Sequence, residues 1–264
     1  MMTSNVLVCL CALVVSVYGL RSEFVAENLF ATSPANADGN AMDKAFHSFT
    51  VTELKCYVQN GISLMVVRLN GCKCHGDKFQ FYIDANMADN LAAFIQSGMH
   101  YISFYYVPCP KDYTNKTITQ QLTEVHKALA AAATGLSGIP NIFMDIEEFI
   151  TCLGTHQLYT NATQNIAMLK EAIKAWNDVN KAPYDHSMGA IYSKKSSWDS
   201  MMNGTKDFVT SAIWYAHYDG KPTDDDWVDF GGWTKDKVWG KQYQQNVNWF
   251  NCGQTVDQNM IFAI

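Results

Sequence analysis

The chain has 264 residues, of which 48% are hydrophobic and 17% charged, and its formal net charge is −6. This length allows one large domain or two small ones, and the hydrophobic share is sufficient for a sizeable buried core. Because the charge is negative and no basic run occurs, the composition argues against nucleic acid as a partner and against long-range attraction to anionic surfaces.

The N-terminus has the pattern of an export signal. A short polar start precedes the apolar stretch from Val6 to Val17, and the small residue Gly19 follows. This stretch is shorter than the roughly 20 residues that a membrane-spanning helix needs. We therefore predict a signal peptide over residues 1–19, an N-terminal leader over residues 20–40, and a secreted, soluble monomer that has no contact with a membrane after signal removal.

Six cysteines remain after the predicted signal, namely Cys56, Cys72, Cys74, Cys109, Cys152 and Cys252. An even number in an exported protein favours disulfides, although the sequence cannot choose among the possible pairings. Cys72, Cys74 and His75 lack a second ligand pair, so we expect no metal and no cofactor. Sequons begin at Asn115, Asn161 and Asn203, which fits a glycoprotein that passes through a eukaryotic secretory pathway.

Helical and strand-like segments alternate in the first half of the chain. The spacing of apolar residues predicts a helix over Thr52–Asn60 and then a buried strand over Ser63–Leu69. The pattern repeats with a helix over Asn86–Ser97 and a strand over Tyr101–Val107. A glycine directly follows each helix, as the left-handed C-cap conformation favours.

The alternation continues and then loosens in the second half. A helix over Thr117–Ala133 precedes the strand Asn141–Phe149, and a helix that includes Ile166 and Trp176 precedes the strand Met188–Ser193. Three further strand-like segments are Ser211–Tyr218, Val238–Gln244 and Val256–Phe262. No linker divides the chain, so we predict one domain over residues 41–264. The absence of a glycine-rich phosphate loop after the first strand favours a closed α/β barrel over an open nucleotide-binding sheet.

An apolar strand that ends in acids is the sharpest chemical feature. Side chains alternate along a strand, so Asp145 and Glu147 are predicted to face one side, and Met144, Ile146 and Glu148 the other. Two close carboxyls in a partly desolvated pocket raise the pKa of one of them, which can then act as a general acid. The same acids could instead bind a metal, cap a helix or be solvated at the start of a loop.

Several segments resemble the glycoside hydrolase family 25 lysozymes in the expected order. Phe143-Met-Asp-Ile-Glu-Glu148 is similar to the acidic signature of that family. The other matching segments are Ala41-Met-Asp43, Gly189-Ala-Ile-Tyr192 with Trp198, Ile213-Trp-Tyr-Ala-His-Tyr218, Trp239 to Gln244, and Thr255-Val-Asp-Gln-Asn259. Together they cover nearly all of the chain from Ala41 to the C-terminus.

The resemblance implies an irregular TIM-like (β/α) barrel of eight strands with fewer than eight helices. It also implies hydrolysis of the β-1,4 bond between N-acetylmuramic acid and N-acetylglucosamine in bacterial peptidoglycan. By the same resemblance Glu147 is the general acid, and Asp145 stabilises the 2-acetamido group in a substrate-assisted reaction. Asp43 and Asp257 would flank the pocket and set the charge state of Glu147. The stereochemical outcome stays open.

Two segments depart from the family pattern near the expected cleft. Lys-Ala-Phe-His follows Asp43 where the family has a small hydroxyl residue, and Arg68-Leu-Asn-Gly-Cys-Lys-Cys74 replaces an acidic and glycine-bearing strand end. The residues from Cys72 to Lys78 are interpreted as a disulfide-tied loop added to the barrel mouth. These departures concern subsite preference more than turnover, because all four acids are present.

Aromatic residues on the predicted strands are candidates for stacking on sugars. The predicted substrate-binding residues are Tyr192, Trp214, Tyr105 and Tyr243, and Tyr215 is a further candidate on the same strands. Burial against a helix is the alternative for each ring, because the facing of a strand can slip by one residue. His217 and His186 are weaker candidates for assisting proton transfer.

Two rival functions remain open from the sequence. One is a catalytically inactive secreted carbohydrate-binding protein on the same barrel, and the other is a glycosidase that acts on chitin-type polymers, which share the acetamido group. Because four clustered carboxyls favour a protonated Glu147 at low pH, we predict an acidic activity optimum.

Overall fold

Short strands alternate with amphipathic helices in the computed structural model, which describes residues 39–45, 47–75, 78–110, 114–133, 142–147, 161–179 and 190–262. The predicted signal peptide and most of the predicted leader lie outside the described residues, as do Glu148, Cys152 and His186. Among the described residues, no helix is both long enough and apolar enough to cross a bilayer.

Ten strands are present in the described part of the chain. They are β1 Gly39–Lys44, β2 Ile62–Arg68, β3 Asn70–His75, β4 Lys78–Ile83, β5 Tyr101–Tyr106, β6 Ile142–Asp145, β7 Ile191–Ser193, β8 Ile213–Ala216, β9 Val238–Val247 and β10 Val256–Ile261. The first strand begins at Gly39, inside the predicted leader. Within the predicted strand segment Asn141–Phe149 the observed strand is β6, Ile142–Asp145, and Glu147 lies in the coil that follows it.

Five α-helices occur in the described residues, namely α1 Val51–Gln59, α2 Met87–Ser97, α3 Ile118–Ala132, α4 Ala162–Val179 and α5 Lys195–Met202, with 3-10 turns at Lys235–Lys237 and Trp249–Asn251. Capping boxes begin two of them, because Thr50 pairs with Glu53 and Thr117 with Gln120. Gly98 ends α2 in the left-handed conformation. The predicted helix bounds therefore agree with the structure to within one or two residues.

Eight strands close into a barrel in the order β1-β10-β9-β8-β7-β6-β5-β2. Neighbours run parallel except at β10, which is antiparallel to both β1 and β9. The prediction of an irregular barrel with eight strands and fewer than eight helices is confirmed. Because β10 is reversed, its N-terminal end lies beside the C-terminal ends of the parallel strands, and Asp257 pairs in register with Asp43.

An antiparallel hairpin of β3 and β4 is inserted after β2. The sequence led us to expect only a loop between Cys72 and Lys78, whereas the paired segment extends from Asn70 to Ile83. A disulfide does tie this insertion, and it joins Cys72 to Cys109, a pairing that the sequence left open. The side-chain amide of Asn70 also donates to the carbonyl of Val107 at 2.7 Å and accepts from its N–H at 3.0 Å. The hairpin is therefore anchored to the segment that follows β5.

Side-chain alternation divides the apolar residues into two layers. Met42, Val67, Phe104 and Met144 face the helices and belong to the outer core. The barrel interior is filled by a second cluster, whose buried members include Ala41, Leu64, Val66, Phe143, Trp214, Trp239 and Ile261. The rings of Phe143 and Trp239 lie 4.5 Å apart, centroid to centroid. This packing fills the barrel interior beneath the acidic residues.

A second disulfide joins Cys56 in α1 to Cys252 in the turn between β9 and β10. The two cysteines are 196 residues apart in the sequence, so the bond ties the beginning of the barrel to its end. Tyr57 adds a contact at the same place, because its hydroxyl donates to the carbonyl of Gln254 at 2.8 Å. The closing strands are thus fixed against the first helix.

Candidate active site

A cavity of about 410 Å³ lies at the end of the barrel where the parallel strands have their C-termini. All four predicted acids line it. The remaining lining residues are Ala45, Arg68, Gly71, Cys72, Tyr105, Val107, Tyr192, Trp214, Tyr218, Gln242, Gln245, Asn246. The position agrees with the rule that active sites of such barrels lie at this end of the strands.

The acids reach the cavity from three different strands. Asp43 lies near the end of β1, Asp145 is the last residue of β6 with Glu147 two positions later, and Asp257 lies near the start of the reversed strand β10. Met144 and Ile146 point into the outer core. The alternation inferred from the sequence therefore holds around Asp145, and it places two carboxyls in one hollow.

Asp43 is held by two amide groups. Its Oδ1 accepts from the side-chain nitrogen of Gln242 at 2.9 Å and from that of Asn259 at 2.7 Å. Asn259 is oriented in turn by the indole N–H of Trp214, which donates to its oxygen at 2.9 Å. Burial raises the pKa of Asp43 well above its ordinary value, and Asp257 raises it further, against the two amide hydrogen bonds.

Asp257 is more open to solvent and has different partners. Its Oδ1 accepts from the backbone N–H of Asn246 at 2.7 Å, and its Oδ2 accepts from Gln242 at 3.3 Å. Burial raises the pKa of Asp257, whereas the Asn246 hydrogen bond and the charge of Lys44 lower it. Of this pair, the structure therefore favours the ionised form more strongly at Asp257 than at Asp43.

Asp145 has a buried oxygen without a partner. Only 5% of the residue is exposed, and its Oδ1 accepts no hydrogen bond from the described residues. Burial raises the pKa of Asp145 well above its ordinary value, Glu147 and Asp43 raise it further, and Arg68 opposes the change. A buried acceptor without a donor is costly, so this oxygen is suited to receive a donor from a bound molecule.

Glu147 combines burial with opposing charges. Burial raises its pKa to about 7, Lys194 opposes the rise, and Asp257 adds to it. A carboxyl with this pKa keeps its proton in weakly acidic solution and can release it to a substrate. Chemically, the arrangement can supply one proton donor surrounded by three further acids.

Three of the four predicted aromatic residues lie in the cavity wall. Tyr105, Tyr192 and Trp214 line the hollow, and the rings of Tyr192 and Trp214 are 4.6 Å apart, centroid to centroid. Tyr243 is buried but is not among the lining residues. Tyr215 packs in the outer core, with its ring 5.0 Å from that of Trp227.

A β-bulge explains the position of Tyr243. Ile213 pairs with Val238 and Trp214 pairs with Gly240, so Trp239 is an extra residue in β9. The extra residue changes the phase of the side-chain alternation. As a result Gln242 points into the barrel, as its bond to Asp43 shows, and its neighbour Tyr243 faces the other side.

Sequence reasoning did not select Gln242, Tyr218 or Arg68 as site residues, although all three line the cavity. Gln242 and Tyr218 lie in segments that resemble the family. For Gln242 the available signal was a polar residue within an otherwise buried strand. Arg68 lies in a segment that departs from the family. Its guanidinium binds Asp84, with Nε 2.7 Å and Nη2 2.6 Å from Oδ2, and donates to the hydroxyl of Tyr82 at 3.2 Å.

The inserted hairpin forms part of the cavity wall through Gly71 and Cys72. A Cβ atom at Gly71 would lie 2.5 Å from the hydroxyl oxygen of Tyr82, so glycine allows the close packing of this ring. Because Cys72 is bonded to Cys109, its sulfur is not free to bind a metal.

A second cluster of titratable side chains lies outside the cavity wall. His217, Asp219 and Asp226 approach one another closely enough to hold a metal, but the ammonium group of Lys241 lies 2.9 Å from Asp219 and 2.7 Å from Asp226. Burial alone would raise the pKa of Asp226, yet hydrogen bonds from His217 and Lys241 outweigh it and hold the pKa at about 2. The lysine thus supplies the positive charge here, and His217 pairs with Asp226.

Comparison with known proteins gives consistent matches. The family model described as Lysozyme-like protein 1 matches residues 36–243. Probable GH family 25 lysozyme 5 of Dictyostelium discoideum is 29% identical over 180 residues, which are 67% of this chain and 73% of the relative. Probable GH family 25 lysozyme 2 of the same organism is 25% identical over 177 residues, with coverage of 67% and 73%. A family GH25 lysozyme structure from Aspergillus fumigatus shares the fold, with a TM-score of 0.61 and 14% identity over 86% of this chain and 94% of that one.

Proposed function

Since the chain belongs to the glycoside hydrolase family 25 lysozymes, we propose that it hydrolyses the β-1,4 bond between N-acetylmuramic acid and N-acetylglucosamine in bacterial peptidoglycan. The observation that carries the proposal is a half-buried carboxyl at the barrel mouth, Glu147, whose pKa is raised to about 7. Such a group is protonated in weakly acidic solution and can donate to the leaving glycosidic oxygen.

Asp145 is assigned to the 2-acetamido group of the sugar. Its unpartnered Oδ1 would accept the acetamido N–H and stabilise the positive charge that develops when the acetamido oxygen attacks the anomeric carbon. Glu147 gives its proton to the leaving oxygen in this step. It is left ionised and can take a proton from the water that completes hydrolysis.

Asp43 and Asp257 act through Glu147 in this proposal. The negative charge of Asp257 raises the pKa of Glu147, and Asp43 lies in register beside Asp257. Tyr105, Tyr192 and Trp214 provide aromatic faces for the sugar rings. Tyr243 is left out of the contact set because it does not line the cavity.

Secretion is part of the proposal. The apolar segment from Val6 to Val17 and the two disulfides both support export, because disulfides persist in oxidising compartments. The site of action is then the extracellular space or the lumen of a digestive compartment. Proton transfer by carboxyl groups requires no cofactor in either place.

Substitution of Glu147 by Gln tests the proposal. Gln keeps the size of the side chain but cannot donate an acidic proton, so we expect a loss of about 10²- to 10⁴-fold in the rate of wall clearing. The assay follows turbidity and new reducing ends in suspensions of bacterial walls and of chitin. Glu124→Gln is the matched control, because Glu124 is a half-exposed residue of α3 that pairs with Lys116 and does not line the cavity.

Each other outcome has a defined meaning. Equal clearing by wild type and Glu147→Gln would contradict the role of Glu147. Cleavage of chitin alone would replace peptidoglycan with a chitin-type substrate. Binding of walls without release of reducing ends by the wild type would identify a carbohydrate-binding protein.

A further inference from the structure

Gln242 uses its whole hydrogen-bonding capacity inside the cavity. The residue is 3% exposed. Its nitrogen donates to Asp43 at 2.9 Å and to Asp257 at 3.3 Å. Its oxygen accepts from the hydroxyls of Tyr192 at 2.6 Å and Tyr218 at 2.9 Å. A primary amide offers two N–H donors and one oxygen with two lone pairs, and all of them are engaged here.

The orientation of this amide is fixed by its neighbours. If the group were rotated by half a turn, its oxygen would face the oxygens of Asp43 and Asp257, and both acids in their ionised forms would lose this N–H donor. The observed orientation places donors toward the acids and the acceptor toward the phenols. The amide is therefore a polar connection between the acidic and the aromatic walls of the cavity.

The two acids on one side of Gln242 repel each other. Asp43 and Asp257 are directly paired across β1 and β10, and the presence of Asp257 raises the pKa of Asp43. One amide nitrogen shared by both carboxyls holds them together and favours their ionised forms. Other groups contribute from neighbouring elements: Asn259 and Asn246 by hydrogen bonds, Lys44 by charge, and Glu147 by repulsion.

The two phenols on the other side are oriented by the same group. The hydroxyl hydrogens of Tyr192 and Tyr218 are directed to the oxygen of Gln242, and the two hydroxyl oxygens lie 3.3 Å apart. Tyr218 is 42% exposed and lines the cavity, so part of its surface is open to a ligand. With their hydrogens engaged, the hydroxyl oxygens act as acceptors, and that of Tyr218 is also hydrogen-bonded to Gln245.

We propose that Gln242 is a positioning residue for the hydrolysis, which holds Asp43 and Asp257 in place and in their charged forms while it orients Tyr192 and Tyr218 toward the sugar. This inference rests on the proposed function. Gln242 does not transfer a proton. It acts on the reaction through the acids that surround Glu147 and through the tyrosines that contact the substrate.

Substitution of Gln242 by Met tests the role, because Met fills similar space without polar hydrogens. Loss of the N–H donors raises the pKa values of Asp43 and Asp257, so both carry less negative charge at a given pH. Asp257 raises the pKa of Glu147, and this effect weakens. We expect the alkaline limb of the pH–rate profile to move to lower pH by about half a unit to one unit, with a roughly tenfold lower kcat/KM at its maximum.

Gln244→Met is the matched control, because Gln244 lies on the same strand and is exposed. This variant should keep the wild-type kcat/KM and the wild-type midpoint of the alkaline limb. If Gln242→Met lowers the rate but leaves the midpoint unchanged, Gln242 only fills space and the proposal is overturned. An unchanged rate and midpoint overturns it as well.

A second variant and a second readout cover the other outcomes. If Gln242→Met fails to fold, the isosteric Gln242→Glu replaces it. When protonated, the Glu carboxyl can still donate to one acid and accept from the tyrosines, so the variant should be active at low pH. When ionised, it has no proton to donate, so its activity should be lost at a lower pH than that of the wild type. Carboxyl titration followed by ¹³C NMR needs no substrate. Unshifted Asp43 and Asp257 in Gln242→Met overturn this proposal, whereas a wild type that cuts no glycan overturns only the proposed function.

Discussion

At the scale of single residues, the four acids of the cavity differ in their surroundings more than in their chemistry. Asp43 receives two amide hydrogen bonds, Asp257 receives a backbone N–H, and one oxygen of Asp145 receives none from the described residues. Glu147 has a pKa raised to about 7. Burial is the largest cause of each rise and acts on all four acids. The differences in neighbouring charges and hydrogen bonds therefore decide which carboxyl holds a proton near neutral pH.

Two single substitutions should move the pH profile in opposite directions. Lys194 lowers the pKa of Glu147, so Lys194→Met should move the alkaline limb of kcat/KM to higher pH. Asp257 raises that pKa, so Asp257→Asn should move the limb to lower pH. We expect each shift to be about half a pH unit, measured on bacterial walls.

The neighbouring Lys195 provides the control for these shifts. It pairs with Asp199 one turn further along α5, so Lys195→Met should leave the midpoint where it is in the wild type. If Lys194→Met and Asp257→Asn shifted the limb in the same direction, the electrostatic account of Glu147 would be refuted.

At the scale of elements, the segment between β8 and β9 is held by one buried lysine. Lys241 is fully buried on the face of β9 opposite to Gln242. Its ammonium group contacts Asp219, Asp226 and the carbonyl of Thr223. This segment also carries Tyr218, which lines the cavity. Strand β9 therefore supports the cavity in two ways. Gln242 on one face lies in the cavity itself, and Lys241 on the other face holds the segment that carries Tyr218.

Loss of this charge should destabilise the protein. Lys241→Met leaves Asp219 and Asp226 close together without their cation, and we expect the free energy of unfolding to fall by about 2 kcal/mol. Chemical denaturation measures the change. The pair of exposed Lys235 and half-buried Asp224 supplies the control, because Lys235→Met should change the value by less than about 0.5 kcal/mol. Equal effects of the two substitutions would refute the anchoring role of Lys241.

At the scale of the whole molecule, the acidic cavity links folding to proton binding. Asp43, Asp145, Glu147 and Asp257 all have raised pKa values, so the folded state holds their protons more tightly than the unfolded state does. Their contribution to stability is fully present below the unfolded pKa values and is lost as the pH rises through the folded ones. The cavity therefore makes the fold more stable in acid than at neutral pH.

Thermal unfolding between pH 4.5 and pH 7.5 should show this linkage. For Glu147 alone the pKa rises from 4.5 to about 7, and about 1.4 kcal/mol for each pH unit gives on the order of 3 kcal/mol. We expect the melting temperature of the wild type to fall across this range. Glu147→Gln should show a visibly smaller fall. A steeper dependence in the variant than in the wild type would contradict the raised pKa of Glu147.

Local sequence patterns determined most of the elements and the identity of the acids. Apolar spacing gave the helix over Thr117–Ala133, observed as Ile118–Ala132, because helix periodicity and the Thr117 cap depend on neighbours within a few residues. The facing of Asp145 and Glu147 also followed from local alternation. The resemblance to a family supplied the strand number and the grouping of Asp43 and Asp257 with these two acids.

Only the tertiary structure decided the features that depend on pairing between distant segments. The reversal of β10, the partners of the disulfides and the bulge at Trp239 are set by which strands and loops meet. No local period records that choice. The bulge turned Gln242 into the cavity and Tyr243 out of it, and the register of β1 with β10 placed Asp43 beside Asp257. The sequence thus determined which acids come together at the barrel mouth, and long-range packing determined how they face one another.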